Sequence, residues 1–305
     1  MPCLRGKLAL GVALCLTIST SLRSQESKPL QIAASDLVRE AIAQEVSAAS
    51  QSQAKHMFRS RRQTPKGSQT HLYVETNDSM AGMMIAANDQ PLSEQQLQAE
   101  RNHLFWLSGN PEALRKKRAR EKEDADRTLR ILKAIPDAFR YEYAGKETGV
   151  PGLGKAGDEL IKLNFTPNPG YSPPSHVEQV LEGMQGFVLI DPRAHRLAKI
   201  DGNLFREVSF GWGIIGHLNK GGHFCVQQAD VGDGTWNITS MSLRMTGKIL
   251  MFKGISMISE ETFSEFRPVP SDLTFAKAIT MLTNEQEKLA HNHETEASAQ
   301  KKEPQ

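Results

Sequence analysis

Six consecutive residues present the most familiar chemical pattern in the chain. Gly211-Trp212-Gly213-Ile214-Ile215-Gly216 has the G-x-G-x-x-G form, in which glycines let the backbone approach a pyrophosphate at a helix N-terminus. Asp230 and Asp233 follow near the spacing of a ribose-binding acid. The flanking sequence denies the motif that role. Asn219-Lys220-Gly221-Gly222 comes so soon after Gly216 that barely one helical turn fits, and no βαβ alternation surrounds it. The glycines read instead as a tight bend, bulge or close backbone approach in a curved sheet. No cofactor is expected.

His217, His223 and Cys225 form a second group. His223 and Cys225 stand two apart and share a strand face, as a pair of metal ligands would. Spacing supplies no third ligand, and the pair is awkwardly placed for Cys–His nucleophilic catalysis. Loop and strand packing is the expectation, with no metal. The sequence contains no G-x-S-x-G, H-E-x-x-H or P-loop signature. No residue is nominated as catalytic, and the protein is read as a non-enzyme.

The remaining candidate is apolar. Met241, Leu243 and Met245 fall on one face of a strand, with Trp236 and Ile238 on the other. Met251 and Phe252 oppose each other across the next strand. One reading makes Met241, Leu243, Met245, Met251 and Phe252 the lining of a ligand groove, since methionine adapts to irregular apolar shapes. The other makes them ordinary sheet packing against helices.

The elements that must position these residues follow from periodicity. Met1 to Lys7 is basic, Leu8 to Ile18 is an apolar run, and small residues follow. That is the form of a signal peptide ending near residue 24, and it predicts a periplasmic or secreted protein. The run is too short to span a membrane, and no later stretch is long enough, so no transmembrane span is expected. Without residues 1–24 the chain carries 34 Lys+Arg against 35 Asp+Glu. That balance argues against nucleic acid as a partner. Cys225 is then the sole cysteine, so the fold rests on its hydrophobic core.

Residues 25–290 read as a single α+β domain. Leu37, Val38, Ala41, Ile42, Glu45 and Val46 keep helical spacing behind Ser35 as cap. A small meander follows, turning at Thr64-Pro65-Lys66-Gly67. Residues 93–135 are a helical insertion, broken at Gly109-Asn110-Pro111. Its segment Arg115 to Lys133 holds nine basic and four acidic residues, read as a solvated face laced with i,i+4 ion pairs or as a membrane- or partner-facing surface. From Phe139 the period becomes two. Asp201-Gly202 is the strongest hairpin signal, and Gly247-Lys248 marks a later turn. A helix covers 273–290, and residues 291–305 read as a disordered tail. Short strands with tight turns predict a curved antiparallel sheet, half-barrel-like, with helices packed on one face.

This order of helix, meander, inserted helices and long meander ending in a helix resembles bacterial periplasmic lipoprotein-carrier proteins of the LolA-like type. Phe165-Thr166-Pro167-Asn168-Pro169, Val208-Ser209-Phe210-Gly211-Trp212-Gly213, His217-Leu218-Asn219-Lys220-Gly221-Gly222 and Phe266-Arg267-Pro268-Val269-Pro270 are similar to an uncharacterised secreted bacterial protein family. The carrier resemblance implies a lipid or lipoprotein acyl chain as ligand, and neither resemblance carries a functional residue over. The expected function is an exported, non-enzymatic envelope protein with an apolar ligand. The alternative is a structural or sensory interaction module, with an envelope protein as partner and no small-molecule ligand.

Overall fold

The structure is a computed structural model that describes residues 33–50, 54–211, 215–232, 234–249 and 253–300. The expected signal segment 1–24 lies outside them.

The elements run α1 (Ala34–Ser50), β1 (Lys55–Thr64), β2 (Gly67–Val74), β3 (Ala81–Ala87), β4 (Gln90–Pro91), α2 (Glu94–Gly109), α3 (Pro111–Ala138), β5 (Phe139–Thr148) and β6 (Glu159–Pro167). A short 3-10 helix, Glu178–Gly183, leads to β7 (Met184–Asp191), β8 (Arg196–Leu204), β9 (Val208–Phe210), β10 (Gly216–Leu218), β11 (His223–Asp230), β12 (Trp236–Ile249), β13 (Lys253–Val269) and α4 (Phe275–Gln300). The thirteen strands form one antiparallel sheet in the order β4-β3-β2-β1-β13-β12-β11-β8-β7-β6-β5, with β9 and β10 beside β12. The sheet is open and does not close into a barrel.

The helical insertion is the crossover between the two edges. It leaves β4 at one edge and enters β5 at the other. The 28 residues of α3 reach about 42 Å at 1.5 Å per residue, comparable to roughly 48 Å for eleven strands at 4.8 Å spacing. Ala113 and Leu114 pack against one core, Ile131, Leu132, Ile135 and Ala138 against another. Between them residues 122–128 are exposed all round. Lys122–Asp126 and Glu123–Arg127 ion pairs lace this stretch at i,i+4, as a helix without an apolar face requires.

The two cores lie on opposite faces of the sheet. A single row of cross-strand partners runs Leu163, Val188, Ile200, Val226, Met241, Glu261, Arg62, Gln69. Its first four members belong to or pack on the core beneath α1 and the C-terminal half of α3. The row turns polar at Glu261. On β1 and β2 the residues of the other face, Met57, Leu72 and Val74, build the second core with Met83, Leu104, Ile279 and Leu282 beneath α2 and α4. Helices therefore cover one face at each end, and the covered face changes between the ends. The expectation of helices on one face holds only end by end.

One buried ion pair fixes α1. Glu45 and Arg196 are 7% and 8% exposed. The guanidinium donates twice to the carboxylate, at 2.8 and 2.9 Å, and the Leu197 amide donates at 3.0 Å. The bidentate geometry and third donor satisfy a charge that would otherwise be costly to bury.

Three expectations are corrected. Asp201-Gly202 is not a turn but lies inside β8. Gly202 faces Gly186 across the ladder, and a Cβ there would sit 2.7 Å from the Phe224 ring; the glycine serves a close ring approach. The turn that joins β7 to β8 follows Asp191, whose Oδ1 accepts from the Arg193 and Ala194 amides. Gly247-Lys248 also lies within a strand, and a Cβ on Gly247 would meet the His217 carbonyl at 2.1 Å. Finally, α4 continues to Gln300, past the tail boundary placed at 291. Polar composition alone does not end a helix whose first turns, Phe275, Ala278, Ile279 and Leu282, are anchored in a core.

Candidate functional site

β12 is fourteen residues long, and strand alternation places Met241, Leu243 and Met245 on one face, as expected. Their surroundings are graded. Met245 is 5% exposed and belongs to the core under α1; Leu243 packs against that core; Met241 is 39% exposed. The step follows the row described above. Met241 stands between Val226 on the apolar side and Glu261 on the polar side.

Met251 and Phe252, the other two expected groove residues, lie outside the described residues. Because β12 runs on through Gly247, its hairpin with β13 closes from Ile249 to Lys253, and Leu243 and Met245 face Ser259 and Met257. The error in turn position moved the register by several residues. On the other side Leu243 faces Phe224, which the sequence reading missed because register cannot be read from one strand.

Beyond Glu261 the same face carries aromatic rings. Phe58 contacts Tyr73, Phe263 and Phe266 at centroid distances of 5.5, 6.1 and 5.3 Å, and His71 stacks on Tyr73 at 5.5 Å. Burial lowers the His71 pKa, against the opposing charges of Glu100 and Glu261, and burial raises that of the Tyr73 phenol, with Glu261 adding to the effect. The Ser60 hydroxyl donates to Glu261. An open cleft of about 640 Å³ adjoins this cluster, lined by Val150, Leu153, Gln227, Thr239, Phe263 and Phe266. Chemically the region offers apolar contact, one carboxylate and the neighbouring Arg62.

The opposite face of the same strands is polar. Its row runs Thr70, Arg61, Thr262, Ser240, Gln227, Lys199. Asp201 accepts from Lys199 at 3.2 Å and lies 2.9 Å from His223 Nε2. These contacts outweigh the opposing effect of its burial and lower the carboxyl pKa. Burial pushes the Cys225 thiol up, which disfavours the thiolate that a nucleophile or metal ligand needs. His217 does not join them: it sits on β10, opposite Lys248 and Ser209. Among the described residues no three His, Cys, Asp or Glu side chains are arranged to hold a metal ion.

The glycine motif spans a hairpin. β9 and β10 pair with Phe210 opposite Gly216, and Gly211 adopts φ +55° at the start of the turn. β10 follows where a dinucleotide fingerprint needs a helix. Gly213 lies outside the described residues.

No family model matches this sequence, and no curated protein matches it. Among solved structures, the chain is similar to a DUF1329 family protein from Desulfovibrio piger, with 11% identity over 77% of this chain and 92% of that chain and a TM-score of 0.23. The likeness to lipoprotein carriers finds no support in these comparisons.

Proposed function

We propose that the chain is an exported, non-enzymatic envelope protein, periplasmic or secreted, that holds an apolar ligand over the strip where β11, β12 and β13 meet. The observation that carries this reading is the gradient along β12. Met245 is core, Leu243 is its margin and Met241 is open to solvent beside Val226. A flexible apolar chain laid along that strip would extend the core outward, with methionine adapting to it. The neighbouring aromatic cluster and cleft supply further apolar surface, and Arg62 supplies a cation for an acidic headgroup. A lipid or lipoprotein acyl chain has this chemistry, which is also what the carrier resemblance implies.

The test is extraction of the purified full chain followed by lipid mass spectrometry, with a fluorescent fatty acid as probe. Stoichiometric lipid and saturable probe binding, weakened by Met241→Asp, support the reading. An empty protein that binds no probe overturns it in favour of an interaction module, the reading favoured by how much of Leu243 and Met245 is already spent on internal packing.

A further inference from the structure

The two most solvent-exposed large apolar side chains among the described residues are neighbours on α2, Phe105 at 58% and Trp106 at 54%. Leu104 and Leu107 tie the other side of that helix to the core beneath α4, and Leu97 is buried as well. His103 stacks on Trp106 at 6.0 Å. Four residues after Trp106 the chain turns a defined corner. The Asn110 amide donates to the Leu107 carbonyl, its side chain accepts from the Ala113 amide, and Pro111 opens α3.

The first turns of α3 then read Arg115-Lys116-Lys117-Arg118-Ala119-Arg120, five cations in six residues. Lys116 pairs with Glu112, and Lys117 pairs with Glu121 while also donating to the Met80 carbonyl. Arg115, Arg118 and Arg120 are exposed and make no hydrogen bond or ion pair with any described residue. Exposed aromatics on one side of a helix corner and arginines without a described carboxylate partner on the other match a bilayer interface. Indole rings favour headgroup depth, and clustered arginines favour anionic headgroups.

We propose that the α2–α3 corner docks on an anionic lipid surface, with Phe105 and Trp106 entering the headgroup layer and Arg115, Arg118 and Arg120 over its phosphates. This stands independently of any ligand at Met241, because it rests on a different surface. It gives the edge-to-edge crossover a second task, that of delivering the sheet to a membrane without spanning it.

Co-sedimentation of the full chain with vesicles decides it. Binding is expected to equimolar phosphatidylglycerol and phosphatidylcholine, with little to phosphatidylcholine alone, and is expected to weaken as salt rises. The Arg115→Gln/Arg118→Gln/Arg120→Gln triple variant should lose roughly tenfold or more in partitioning, and the matching triple Lys variant should retain most of it. Brominated lipid should quench fluorescence in the wild-type chain and not in Trp106→Phe, a readout that needs no arginine variant to fold. Equal binding to neutral vesicles, full binding by the Gln variant, or no quenching at Trp106 would each overturn the proposal. Capture of an acidic soluble protein without vesicle binding would assign the corner to a protein partner instead.

Discussion

At the β5–β8 end of the sheet, Leu163, Val188 and Ile200 point toward α1; at the β1–β3 end, Leu72, Val74 and Met83 point the other way, toward α4. The strands are continuous in one ladder, yet their apolar residues occupy opposite parities. The change falls between Met241 and Glu261. Each end buries whichever face its own alternation makes apolar, and each recruits its own helices to do so. The junction is left half-covered, which is why the candidate site lies there and not beneath either set of helices.

The strongest way to break the α1 end is to remove Glu45. Glu45→Ala strands the buried Arg196 guanidinium and the Leu197 amide, and should cost about 3–5 kcal/mol, read by urea denaturation. A loss below ~1 kcal/mol would mean that the pair is solvated and that α1 is held by its apolar face alone.

Cavities come next and compare the ends directly. Leu163→Ala and Leu282→Ala remove fully buried side chains from the two cores, and each should cost roughly 2–5 kcal/mol. Both should shift one cooperative calorimetric transition, because the sheet joins the cores. Two separate transitions, each moved by only one variant, would show that the ends unfold independently.

At the junction, the effect should fall along β12. Leu243→Asp places a carboxylate at the margin of the core and should destabilise by about 1–3 kcal/mol, whereas Met241→Asp should change stability by less than ~0.5 kcal/mol while weakening fatty-acid probe binding. If Met241→Asp instead unfolds the protein, Met241 is core and the open strip does not exist.

The smallest effect concerns the α4 end in acid. Arg267 holds the Glu285 carboxyl below its ordinary range through a hydrogen bond at 2.7 Å. The unfolded chain takes up that proton more readily, so the contribution is complete above the ordinary carboxylate pKa of about 4.3 and is lost as pH falls from there through the lower folded-state value. Half of the Arg267 side chain is covered, so solvent discounts the pair to under ~1 kcal/mol. Glu285→Gln should therefore flatten the acid limb of urea midpoints below about pH 4.3 and leave the Glu45 contribution in place. An unchanged acid limb would remove this pair from the α4 anchor.

Local readings held where a local cause was enough. Thr64-Pro65-Lys66-Gly67 turns between β1 and β2 as its composition dictates, with Gly67 at φ +123°. Asn110 and Pro111 divide the insertion into α2 and α3. The glycine motif sits in a hairpin because nothing after Gly216 can start a helix. The readings failed where a glycine answered to something distant. Gly202 and Gly247 look like turn residues in sequence, but a ring and a carbonyl from other strands explain them. The second turn, placed too early, hid Met257 as the cross-strand partner of Met245. The aromatic cluster at Phe58 was invisible for the same reason, being assembled from β1, β2 and β13.

By itself the sequence determined the main element types, the antiparallel sheet, the pair of inserted helices and the shared face of Met241, Leu243 and Met245. All of these depend on spacing along one segment, through the periods of helix and strand and the chemistry of caps and turns. The tertiary structure alone decided register, the pairing of β1 with β13 and the exchange of the covered face. Those depend on which residue of a distant strand lies opposite, and a shift of one residue in that pairing turns a buried face toward water.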